Sequence, residues 1–160
     1  MKKFLQFLFQ IQRQNAEAKQ IAKHLSRVLL YELKGKDTLY PDLKEGFEKL
    51  EKRMEQLNKP IFLVEAFRSA KKQNDYYKKI PKITNAKGLQ SYHQYGLAFD
   101  VAFKKYKWSP PGWHWWVTLG DEGKKLGLIW GGEFKDYGHF ELHQNFTWKN
   151  LINYFQRSAN

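Results

Sequence analysis

A chain of 160 residues is long enough to bury one real core and short for two domains. Its hydrophobic (42%) and charged (28%) fractions exclude a disordered tail. With no cysteine, a disulfide framework and a thiolate metal site are excluded, so any metal must be held by imidazole and carboxylate. The net charge of +12 favours anionic partners such as nucleic acid, cell-envelope polymers or lipid headgroups.

The chain begins "MKKFLQFLFQIQRQNAEAKQ", in which two lysines, a short apolar run and Ala16-Glu17-Ala18 imitate a secretory signal. Gln6 and Gln10 interrupt the run and Arg13 stands near the would-be cleavage region, so no signal peptide is expected. No stretch approaches the roughly 18 apolar residues that span a bilayer. From Lys19 to Leu33, apolar residues at Ala18, Ile21, Ala22, Leu25, Val28 and Leu29 form one helical stripe. Residues 1–38 therefore read as a helical extension packed on a domain of residues 39–160.

Gly35 and Pro41 break the first helix. A second follows, with Leu43, Phe47, Leu50, Met54 and Leu57 on one face, and Pro60 stops it. "IFLVEAF" predicts a buried strand ending at Arg68, "SAKKQNDYYKKI" a helix, and "PKITNAKGLQ" a loop. In "LAFDVAF" the large apolar residues Leu97, Phe99, Val101 and Phe103 alternate with Ala98, Asp100 and Ala102. That strand period turns Asp100 away from the core, between two alanines that leave it room. "WSPPGWHWW" turns into a helix through "VTLGDEGKKLGL", and at least two of Trp113, Trp115 and Trp116 are expected in the core. A glycine-rich turn, "WGGEFKDYG", leads to the strand "HFEL". Mixed helices and short strands, without alternating strand–helix units, predict an α+β domain.

His93, Asp100, Asp136 and His139 are poorly explained by packing. Gly96 lets the chain bend between His93 and the strand of Asp100, and Gly138 is expected to do the same before His139. Two imidazoles and a carboxylate make a three-ligand zinc set with the fourth position open, the mark of a catalytic site. His24, His114 and His143 read as surface or hydrogen-bonded core residues.

"SYHQYGLAFD" resembles the S-x-H-x-x-G-x-A-x-D motif of zinc D,D-carboxypeptidases and L-alanyl-D-glutamate endopeptidases, phage endolysins among them. "DYGHFEL", "LGLIWGGEF" and "FRSAKKQNDYY" resemble three further segments of that family in the same order, across about residues 42–142. The resemblance implies the hedgehog/D,D-peptidase fold, a small antiparallel sheet with flanking helices. It implies one Zn²⁺ per chain on His93, Asp100 and His139, Asp136 as catalytic base, and Arg68 facing the polarised carbonyl or a substrate carboxylate. Ser91 and Gln73 become polar groups on the substrate side, and Glu141 a second-shell or substrate-side residue rather than a ligand.

The implied activity is hydrolysis of the peptidoglycan stem peptide, at the L-alanyl-D-glutamate bond, by a monomeric enzyme acting on the cell wall, as an endolysin does. A D-alanyl-D-alanine carboxypeptidase is the alternative enzyme, and its cleft should close with a cation that grips a terminal carboxylate. A zinc-bearing wall-binding module and a basic nucleic-acid binder are the non-enzymatic alternatives. Asp136 argues against the first. Against the second, no helix concentrates Lys and Arg with interleaved aromatics.

Overall fold

The computed structural model describes residues 2–81, 83–143 and 147–158, with side chains described from residue 15 to residue 156 within those spans. Four strands form one antiparallel sheet in the order β1-β2-β4-β3. They are β1 (Ile61–Glu65), β2 (Ala98–Phe103), β3 (Ile129–Trp130) and β4 (His139–Glu141). The described residues also form five α-helices: α1 (Lys2–Leu30), α2 (Pro41–Gln56), α3 (Ala70–Lys78), α4 (His114–Lys125) and α5 (Trp148–Ser158). The expected α+β architecture is present.

Each element follows from local chemistry. Pro41 opens α2 at its first turn, where a missing N–H costs nothing. Ser69 caps α3 by accepting from the Lys72 amide. On β2, Phe99, Val101 and Phe103 turn to one face and meet Leu43, Phe47, Leu50 and Met54 of α2. Phe47 lies edge-on to Phe99, which stacks on Phe140 of β4. Trp116 and Leu119 of α4 enter the same core. Trp115 packs partly against it and Trp113 is exposed, so two of the three clustered indoles are structural, as expected. The helices α2 and α4 thereby cover one face of the sheet and leave the face carrying Asp100 for other work.

A second apolar cluster joins Ala18 and Ile21 of α1 to Leu151 of α5 and to Tyr95 and Leu97, which precede β2. Fully burying Ile21 alone is worth roughly 1.5–3 kcal/mol before entropy is subtracted. Leu29 departs from the expected stripe and is 69% exposed. It lies one residue past Val28, turned about 100° from it in the last turn of α1. His24 takes a place on the buried face, its Nε2 3.0 Å from the Thr38 carbonyl oxygen. The apolar run of residues 4–11 lies outside the described side chains. No helix among the described residues is long and apolar enough to cross a membrane.

Candidate metal centre and active site

Strand register builds the site. Asp100 of β2 stands directly opposite Glu65 of β1 on one side and His139 of β4 on the other. Directly opposed residues share a face, so three polar side chains form a row across the sheet. Ala98 and Ala102 flank Asp100 on that face and leave it space.

His93 comes from outside the sheet, on a one-turn 3-10 helix at Tyr92–Tyr95. Ser91 caps that turn: its hydroxyl accepts from the His93 amide, and Gln94 reaches back to the Ser91 amide. Gly96 ends the turn at φ +68°, where an added Cβ would sit 2.7 Å from the Thr38 carbonyl oxygen. The chain then enters β2, which explains why histidine and aspartate converge across seven residues. Gly138 acts differently from expectation. Its φ is not left-handed; a Cβ there would meet the Val101 carbonyl oxygen at 2.4 Å, so glycine permits close strand approach. Lys135 supplies the left-handed residue of that turn instead, at φ +68°.

The ligand atoms of His93, Asp100 and His139 all lie within 4.8 Å of one another. His93 Nε2 is 3.3 Å from Asp100 Oδ1. That is about the separation of two ligands each about 2.0 Å from a tetrahedral ion. His93 Nδ1 donates to the Ala66 carbonyl oxygen at 2.7 Å, which leaves Nε2 as the free electron pair. His139 Nδ1 faces Asp100 Oδ1 at 2.8 Å and its Nε2 faces Glu141 Oε1 at 2.9 Å. Two imidazoles and one carboxylate suit zinc, and the trio can hold one ion.

Burial opposes charge on Asp100, yet the two histidines beside it hold its carboxyl well below the usual range. Burial likewise opposes charge on His139, but hydrogen bonds to Asp100 and Glu141 outweigh it and push its pKa up to about 10. Zinc binding to the apo protein must therefore displace a proton from His139, since Asp100 has none to lose. On the order of one proton should leave His139 per ion bound at pH 8, and apparent affinity should fall as pH drops. A pH indicator in weakly buffered protein titrated with zinc reads this directly; pH-independent affinity between pH 6 and 9 would contradict it.

Asp136 follows the Lys135 turn. Its carbonyl accepts from the His139 amide at 3.2 Å, so backbone and ligand are fixed together. Its carboxyl pKa is raised, chiefly by burial and further by the charge on Asp100, against the pull of His139, His93 and Arg68. A cavity of about 520 Å³ brings together Arg68, Ser91, His93, Asp100, Asp136 and His139. Gln90, Tyr92, Phe134, Glu141, Trp148 and the segment 83–86 complete its wall.

Three expected substrate-side residues are engaged in the protein. Gln73 is fully buried and does not line the cavity. It accepts from Arg68 Nη1 and Gln94 Nε2, and donates to Thr84 Oγ1 and the Ala86 carbonyl oxygen. It thus fixes Arg68 and the cavity-lining segment rather than touching a substrate. Ser91 lines the cavity, but its hydroxyl serves the turn that presents His93. Glu141 is not among the three ligands; its carboxylate accepts from His139 and His143. Arg68 is 9% exposed, and its guanidinium pairs with Glu65, reaches Asp100 Oδ2 at 3.4 Å and lies over the Tyr76 ring.

Sequence reasoning missed Glu65, Tyr92, Phe134, His143 and Trp148. His143 was legible: His139, Glu141 and His143 recur at the strand period of two.

Residues 84–142 match a family model described as D-alanyl-D-alanine carboxypeptidase. The chain is 34% identical over 125 residues to the peptidoglycan L-alanyl-D-glutamate endopeptidase CwlK of Bacillus subtilis, spanning 67% of this chain and 75% of that protein. Its fold is similar to that of the Serratia marcescens L-Ala D-Glu endopeptidase ChiX, with a TM-score of 0.50, 24% identity and coverage of 66% and 80%. It is also similar to the D,D-pentapeptidase VanY of a VanB-type resistance cassette, solved with Zn(II), at a TM-score of 0.53, 14% identity and coverage of 72% and 84%. Taken with the His–Asp–His trio, a likeness of this depth over three quarters of the CwlK chain means that the protein belongs to the zinc D,D-carboxypeptidase and L-alanyl-D-glutamate endopeptidase family, the zinc peptidases of peptidoglycan.

Proposed function

We propose that the protein hydrolyses the L-alanyl-D-glutamate bond of the peptidoglycan stem peptide, with Asp136 as general base and then general acid. The observation that carries the mechanism is a carboxyl with raised pKa lining the same cavity as the three ligands. His93, Asp100 and His139 would hold the ion. A zinc ion there supplies a Lewis acid that polarises the scissile carbonyl and makes water acidic at neutral pH. Asp136 takes the proton of the attacking water and returns it to the departing amine. Arg68, held by Glu65 and Gln73, directs positive charge at the cavity where negative charge develops on the carbonyl oxygen. The exposed side chains of Ile83 and Phe134 offer apolar walls to the peptide.

Two observations support the endopeptidase reading over the carboxypeptidase one. The curated relative described above is named for the L-alanyl-D-glutamate bond. Among the described residues that line the cavity, Arg68 is the one guanidinium or ammonium, and Glu65, Gln73 and Asp100 take four of its five N–H donors. The one N–H left on Nη1 can serve a single oxyanion but not both oxygens of a terminal carboxylate. The net charge of +12 supports attraction to anionic wall polymers, and on this reading a monomer acts on the wall side of the membrane. Digestion of purified peptidoglycan, followed by mass spectrometry of the new termini, should reveal stem peptides beginning with D-glutamate and L-alanine left on the muramyl side. Release of free D-alanine alone would select the carboxypeptidase.

A further inference from the structure

The Glu141 carboxylate lies between two imidazoles. Its Oε1 is 2.9 Å from His139 Nε2 and its Oε2 is 2.8 Å from His143 Nε2. A carboxylate can only accept, so both contacts place the proton on Nε2 of each ring. His139 is then left with Nδ1 toward Asp100 Oδ1, 2.8 Å away, in the ligand trio. Beyond Glu141, the His143 ring lies flat on Tyr92, with centroids 4.0 Å apart and planes 7° from parallel. Tyr92 begins the turn that presents His93. One run of contacts therefore joins both histidine ligands from behind, from His139 through Glu141 and His143 to Tyr92 and so to His93.

We propose that Glu141 and His143 are a positioning pair for the metal centre: Glu141 fixes the tautomer and ring plane of His139, and His143, clamped on Tyr92, fixes Glu141. This rests on the zinc-peptidase reading and adds to it two residues outside the ligand set and outside the base. A substrate-side role for Glu141 fits less well, because each of its oxygens already has an imidazole donor. The carboxylate behind a metal-bound imidazole commonly sets affinity as well as orientation.

The test is the zinc dissociation constant of the full-length protein, read by competition with a chromophoric chelator. Glu141→Gln keeps the side-chain shape but has one acceptor oxygen for two rings, and should weaken zinc binding on the order of 10–100-fold. Two substitutions at His143 separate the hydrogen bond from the ring stack. His143→Phe keeps an aromatic ring on Tyr92 and loses the donor, so affinity should fall. His143→Gln loses the stack but presents an amide donor at the reach of Nε2, so affinity should recover toward wild type. In the zinc-loaded wild type, ¹⁵N shifts of His139 should place the metal on Nδ1 and the proton on Nε2. Wild-type affinity in His143→Phe, or metal on Nε2 of His139, would overturn the positioning pair alone. A wild-type protein that binds no zinc would overturn the metal reading with it.

Discussion

Asp136→Asn is expected to keep its zinc, fold normally and lose about 10²–10⁴ of its turnover. The amide preserves shape and hydrogen-bonding capacity but cannot accept a proton at the oxygen that faces the cavity. Asp136 is outside the trio whose ligand atoms cluster within 4.8 Å, so removing its charge leaves the ligand set whole. Its backbone carbonyl, not its side chain, supports the His139 amide, and that contact survives the substitution. Burial already raises the pKa of this carboxyl, which brings a weak base closer in strength to the task at neutral pH. Zinc content by atomic absorption and the rate of stem-peptide cleavage, measured on one preparation, decide the matter. Loss of zinc would make Asp136 a ligand; near-normal turnover would remove it from the chemistry.

Asp100→Asn should fail differently, losing zinc and turnover together. It is the one anion of the ligand set, and its Oδ1 lies 3.3 Å from His93 Nε2 and 2.8 Å from His139 Nδ1. An amide there removes the charge that offsets the ion, and its oxygen is a weaker ligand than a carboxylate. The loss of affinity should exceed the roughly 10–100-fold typical of changes behind a ligand. His93→Ala should match it, because the Ala66 carbonyl holds that ring with Nε2 committed to the site. Melting curves of the apo variants show whether the effect is local. A large fall in apo stability, rather than in zinc affinity, would place these residues in the structural core instead of the metal site.

The His93–Asp100 half of the trio was legible because short-range geometry fixes it. Histidine before a left-handed glycine, then aspartate between alanines on an alternating strand, can be read from ten consecutive residues. His139 pairs with Asp100 only through strand register, which "HFEL" hints at and a sheet must complete. Gln73, which the resemblance set on the substrate side, lies behind the cavity instead. It is buried because four hydrogen bonds to groups distant in sequence satisfy it. The helix α5 carries Leu151, Tyr154 and Phe155 at helical spacing, but its packing partners Ala18, Ile21 and Tyr95 lie far away in the chain. Glu65 looked like part of an apolar strand. Its role emerges only when the irregularity after Leu63 sets it opposite Asp100 and beside Arg68.

The measurement that bears most directly on the metal centre is zinc stoichiometry followed through chelation and return. Purified protein should carry about one zinc per chain, as three nitrogen and oxygen ligands without cysteine imply. Exhaustive chelation should abolish peptidoglycan hydrolysis, and one equivalent of zinc should restore it. Full hydrolysis by protein stripped of metal would contradict a zinc peptidase built on His93, Asp100 and His139.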